Sequence, residues 1–76
     1  MSKPTRITNS IRALRFARGE MTQAELAQRI GVTRQTIIAI EQGRYSPSLE
    51  MAFKIARVFQ VPLDEVFQYP DGQGEP

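Results

Sequence analysis

The sequence contains no cysteine and no histidine. Without cysteine there is no disulfide framework and no thiolate metal site. Without histidine there is no nucleophile–histidine pair and no imidazole ligand. No apolar run approaches the roughly 20 residues that a membrane-spanning helix needs. The first eight residues, MSKPTRIT, lack the apolar stretch of a signal peptide. These absences point to a cytoplasmic chain with no membrane partner, no metal and no other cofactor. No glycine-rich phosphate loop follows a strand, and no two acidic residues are spaced to share an evident cleft. With no catalytic constellation in view, the chain reads as a non-enzyme.

What is present fits one small domain. A chain of 76 residues buries only roughly 60% of its unfolded surface, which leaves no evident pocket for a small-molecule effector. The net charge of +2 hides an asymmetry. Residues 1–57 hold ten basic and four acidic residues, net +6, whereas residues 58–76 hold four acidic and no basic residues, net −4. A basic body with an acidic tail suits an anionic partner for the body. On its own, the same pattern is also met on ordinary solvated surfaces.

The most informative stretch is TQAELAQRIGVTRQTIIAIEQ, Thr22 to Gln42. Leu26, Ala27 and Ile30 share one helical face, and Ile37 and Ile40 repeat inside a second short helix. Gly31 lies between the two, where a sharp turn needs a residue that tolerates positive φ. Ala27 is small enough for two helices to cross closely. Thr22 and Glu25 form a T-x-x-E capping box that marks the start of the first of these helices. The pattern is a helix-turn-helix, a motif that presents its second helix to the major groove of DNA.

The rest of the chain predicts an all-α, five-helix domain. The first helix spans about Asn9 to Arg18, capped by Thr8, Asn9 or Ser10, stopped by Gly19, and inward-facing at Ile11 and Leu14. The second spans Gln23 to Ile30 and the third Arg34 to Gln42, with Gly43 ending it. Ser48 caps a fourth helix, which runs to Phe59 with Leu49, Ala52, Ile55, Ala56 and Phe59 facing inward. Pro62 opens a fifth, Leu63 to Phe67. Residues 1–8 read as a flexible arm, 9–67 as the DNA-binding domain and 68–76 as a tail.

On a wheel of about 100° per residue, Gln35, Ile38, Ala39 and Gln42 lie opposite the buried Ile37 and Ile40, with Arg34 at the border. Gln35 suits adenine N6 and N7, and Arg34 suits guanine O6 and N7 or a phosphate. Ile38 and Ala39 can only touch a thymine methyl or exclude water. Outside this motif each would pass for an ordinary exposed helix residue. Thr33 is a cap with a phosphate in reach, and Thr36 reaches the backbone or packs.

This segment resembles the helix-turn-helix of the lambda repressor and Cro, or XRE, family. The resemblance rests on Leu26, Ala27, Ile30, Gly31, Val32, Ile37 and Ile40, on the run TQAELAQRIGV, and on Glu41-Gln42-Gly43. It extends from about Ile11 to about Phe67 and is strongest to small single-domain bacterial and archaeal regulators. It implies a lambda repressor-like fold and a transcription regulator, expected to be a repressor. It further implies that Gln23 bonds a phosphate, and that Gln42, Arg44 and Tyr45 follow the phosphodiester strand. It pairs Arg15 with Glu41, a carboxylate that at the negative end of a helix dipole needs a cation. In the family, the residue of Gln23 also buttresses a glutamine opening the third helix, but Arg34 stands there in this chain.

Two expectations concern partners. A single small module makes few contacts, so a homodimer on double-stranded DNA is expected, with half-sites about 34 Å apart. Met51 and Val58, seven residues apart in the fourth helix, with Phe67 and Tyr69, are the candidate dimer surface, unless Met51 or Phe67 completes the core. The alternative function is an antitoxin that docks a partner protein and binds its own operator, although the chain spares only about ten residues at each end for such docking.

Overall fold

The capping box at Thr22 forms as the sequence dictates. In the computed structural model, which describes residues 5–70, the Thr22 hydroxyl accepts from the Glu25 N–H at 3.0 Å and the Glu25 carboxylate accepts from the Thr22 N–H at 2.8 Å. Five helices follow one another: α1 Ile11–Ala17, α2 Gln23–Ile30, α3 Arg34–Glu41, α4 Leu49–Phe59 and α5 Leu63–Val66. Each of α2, α3 and α4 starts on a hydroxyl cap, from Thr22, Thr33 and Ser48 respectively.

The turn between α2 and α3 depends on Gly31, whose φ is +81°. Its N–H and that of Val32 both donate to the Ala27 carbonyl, at 2.9 and 3.0 Å. Ala27 itself is buried. Gly43 ends α3 with φ +74°. There the Arg44 N–H donates to the Ala39 carbonyl and the Gly43 N–H to the Ile40 carbonyl, the Schellman pattern that satisfies the last carbonyls of a helix.

The core is aliphatic, with one aromatic ring. Ile11, Leu26, Ile37, Ile40, Ile55, Phe59 and Val66 are its largest fully buried side chains. Leu63 and Phe67 pack against it half-buried. Leu49, expected to face inward, is 68% exposed. It is the first residue of α4, ahead of the inward stripe that begins at Ala52.

The two ends of the domain meet in a short antiparallel pairing that the helical reading missed. Strand β1, Thr8–Asn9, pairs with β2, Phe67–Gln68, with Thr8 opposite Gln68 and Asn9 opposite Phe67. The Ser10 N–H extends the link to the Val66 carbonyl at 2.8 Å. Consequently α1 begins at Ile11 rather than Asn9, and α5 ends at Val66 rather than Phe67. Ser10 holds the cap position without a side-chain bond. Asn9 instead accepts from the Ile11 N–H. The expected arm and tail therefore each lose residues to the domain at Thr8 and Gln68, and their outer parts, residues 1–4 and 71–76, lie outside the described residues.

Arg18 had no expected role and has a structural one. Its guanidinium donates to the Phe59 carbonyl and the Gln60 side-chain oxygen. It thereby joins the end of α1 to the end of α4, where Gln60 takes the left-handed conformation at φ +58°.

The turn at Gly31 can be tested alone. A Cβ built there meets nothing within 4 Å, so Gly31→Ala introduces backbone strain and no clash. Left-handed φ costs a non-glycine residue about 1–2 kcal/mol. Denaturant unfolding of the variant should show a loss of that size with an unchanged m-value, and unchanged stability would contradict the strained turn.

Candidate nucleic-acid interface

The outer face of α3 is built by exclusion. Ile37 and Ile40 occupy the core at 0% and 2% exposure, which turns Arg34 and Gln35 into solvent at the start of the helix. Ile38 and Ala39 lie half-buried beside them, and Gln42, Arg44 and Tyr45 are exposed where the chain leaves the helix. The Thr33 and Thr36 hydroxyls lie 3.0 Å apart, and the Thr36 N–H donates to the Thr33 oxygen at 3.2 Å. That pair uses one hydroxyl hydrogen internally and leaves one to donate outward.

A polar node anchors this face from behind. Arg15 in α1 is the one buried charged residue among the described residues, at 7% exposure. Its Nε donates to Glu41 Oε2 at 2.8 Å and its Nη2 to Glu41 Oε1 at 3.2 Å. Its Nη1 donates to the Met21 carbonyl at 2.8 Å. Gln23, the first residue of α2, adds its amide N–H to Glu41 Oε1 at 3.2 Å. The expected Arg15–Glu41 pair is therefore present, and it is also the junction of α1, the segment before α2, and α3. Gln23 buttresses the end of α3 through Glu41, not its beginning through the residue at position 34.

Asn9 belongs to the same junction and was missed in the sequence. Its amide donates to the Ile40 carbonyl at 3.0 Å, tying the paired chain ends to α3. Nothing in the residues around Asn9 separates this role from an ordinary helix cap; only the position of α3 reveals it. Arg12 and Arg15 lie 5.4 and 5.8 Å from the centre of the exposed Phe16 ring. Arg12, Phe16, Thr22, Gln23, Arg34 and Gln42 line an open groove between α1 and the helix-turn-helix. The groove sets the guanidinium groups of Arg12, Arg15 and Arg34 against the carboxylates of Glu20 and Glu41, a balance that favours an anionic partner.

Of the four residues expected to form a dimer surface, Met51, Val58 and Phe67 are half-buried and pack against the core. Tyr69 is 67% exposed. Among the described residues, no cluster of three or more acidic, cysteine or histidine side chains could hold a metal ion, and no helix is long and apolar enough to cross a membrane.

The Arg15 and Glu41 side chains are 9% and 11% exposed, so a lone partner is an uncompensated buried charge. Removing one member of such a pair typically costs about 3–5 kcal/mol, while apolar replacement of both is far milder. Arg15→Met and Glu41→Leu should each destabilise more than the double variant in denaturant melts. Additive losses would refute the coupling.

A helix-turn-helix family profile matches residues 11–66, from the start of α1 to the end of α5. An uncharacterised HTH-type transcriptional regulator of Methanocaldococcus jannaschii is 55% identical over 53 residues, covering 70% of this chain and 80% of its own. The HTH-type regulator YgzD of Bacillus subtilis is 46% identical over 59 residues, covering 78% and 88%. The cryptic phage CTXphi transcriptional repressor RstR of Vibrio cholerae is 41% identical over 59 residues, covering 78% of this chain and 52% of its own. A solved chain from Bacteroides fragilis superposes with a TM-score of 0.71 at 26% identity, covering 82% of this chain and 98% of that one. The pair of capped helices, the turn at Gly31 and these likenesses agree, and the chain belongs to the XRE-type helix-turn-helix family of transcriptional regulators.

Proposed function

We propose that this protein is a sequence-specific repressor that lays α3 in the major groove of double-stranded DNA. The observation that carries this reading is the exposed polar start of α3, Arg34 and Gln35, on a helix fixed at both ends and backed by the core. Arg34, Gln35, Ile38 and Ala39 are the base-facing set. Arg34 and Gln35 supply the hydrogen bonds that distinguish base pairs, and Ile38 and Ala39 the apolar contact a thymine methyl prefers. Gln23, Thr33, Thr36, Gln42, Arg44 and Tyr45 hold the backbone, because Gln23, Gln42, Arg44, Tyr45 and one hydroxyl of the Thr33–Thr36 pair offer donors to phosphate oxygens that only accept. The compartment is the cytoplasm. The repressor role draws support from the likeness to RstR, named as a transcriptional repressor.

We further propose that it binds as a homodimer on a pseudo-palindromic site. The supporting surface runs along α4 and α5, on residues more exposed than the half-buried Met51, Val58 and Phe67. Leu49 and Phe53, four residues apart, are 68% and 51% exposed. Phe53 lines an open cleft with Val61 and Leu63, which are half-buried. Exposed Lys54 and Arg57 lie on α4 and exposed Asp64 and Glu65 on α5, and Arg57 lines the cleft. An isologous contact sets the basic side of one copy against the acidic side of the other.

Two experiments follow. On a duplex selected from random DNA, Gln35→Ala should cost about 1–3 kcal/mol and relax one base position, whereas Arg44→Ala should weaken all sequences alike and lower the salt slope by about one. If Gln35→Ala leaves affinity for every sequence unchanged, the base-reading assignment fails. In sedimentation with the selected duplex, wild type should bind as two copies, and Phe53→Glu should reduce the second copy's affinity without altering the helical spectrum. One copy bound at saturation to every selected site would sink the dimer.

A further inference from the structure

We propose that Glu41 is a positioning residue for DNA binding: held by Arg15, it turns the Gln23 amide so that the remaining N–H points at the DNA backbone. The inference rests on the reading that Gln23 meets a phosphate. Glu41 Oε1 receives both Arg15 Nη2 and Gln23 Nε2, each at 3.2 Å, while Oε2 receives Arg15 Nε at 2.8 Å. A carboxylate only accepts hydrogen bonds. The opposite amide orientation would set the Gln23 carbonyl oxygen against a carboxylate oxygen, with no hydrogen between them. The nitrogen therefore faces Glu41.

That orientation has a consequence at the surface. The amide nitrogen carries two hydrogens, and Glu41 takes one. The other is held in the amide plane as a donor, which is what a phosphate oxygen needs. Gln23 is half-buried at the start of α2 and lines the open groove together with Arg34 and Gln42. An unrestrained glutamine would lose rotamer freedom on binding, whereas a clamped one has lost it during folding. The arrangement also answers an electrostatic objection. A carboxylate near DNA repels phosphates, but the Arg15 guanidinium neutralises this one at contact distance.

The test uses the full chain and a selected duplex in which single phosphates are replaced in turn by uncharged methylphosphonates. In wild type, replacing the phosphate that Gln23 meets should weaken binding about tenfold, the range of a hydrogen bond to a charged group. Gln23→Ala should erase the penalty at that phosphate alone. Arg15→Met/Glu41→Leu removes the clamp without leaving a lone buried charge, and it too should lose most of that penalty while the penalties at other phosphates persist. A folded double variant with the wild-type profile would overturn the positioning role and leave the Gln23 contact standing. A Gln23→Ala profile identical to wild type would overturn both. If the double variant melts out, NMR of the wild-type Gln23 side-chain amide serves: one amide proton should be bonded to Glu41 and protected from exchange, and the other should shift when the duplex binds. Two equivalent, freely exchanging amide protons would reject the clamp.

Discussion

The fold depends on one guanidinium withdrawn from water. Burying a charge is expensive unless it is paired and fully hydrogen-bonded. Arg15 meets that demand with bonds to both carboxylate oxygens of Glu41 and to the Met21 carbonyl. The bonds can be made only if α1, the segment before α2 and the end of α3 stand in one arrangement. A shift of α3 along its axis would strand the charge. The small aliphatic core tolerates such shifts more readily, because hydrophobic burial is not directional. The ion pair therefore penalises any register of α3 other than the one in which its bonds are made.

That register matters because α3 has only eight residues. An isolated helix of that length is unstable in water. Here Thr33 satisfies its first turn, Gly43 and the Schellman bonds its last, and Ile37 and Ile40 pin its inner side. Glu41 and the Ile40 carbonyl add ties to Arg15, Gln23 and Asn9. The outer residues consequently project from a rigid backbone, which is the condition for reading base edges rather than merely adhering to phosphate.

Much of this was legible in local sequence. The capping box at Thr22, the turn at Gly31, the caps at Thr33 and Ser48 and the stop at Gly43 depend on neighbours within a few residues, and they fall where the residue types require. The Arg15–Glu41 pair came from the family resemblance and from the need of a helix-terminal carboxylate for a cation. Long-range features were not legible. The pairing of Thr8–Asn9 with Phe67–Gln68 joins segments about sixty residues apart, and two residues are too few for any periodicity. It takes up Asn9 and Phe67, which the helical pattern assigned to α1 and α5. Leu49 misled for the opposite reason: an apolar residue at a helix start fits an inward stripe on paper, yet the helix leaves it in solvent. Arg18 and Asn9 act on backbone carbonyls, which carry no sequence signature.

We propose that α3, held by the Arg15 node, is the element that enters DNA, and a structure of the protein on a duplex selected from random sequence is the decisive measurement. It should show the first turn of α3 in the major groove, Gln35 within hydrogen-bonding distance of a base edge, and the Arg15–Glu41 pair unchanged. DNA seated on the α4–α5 face, or α3 lying clear of the groove, would contradict it.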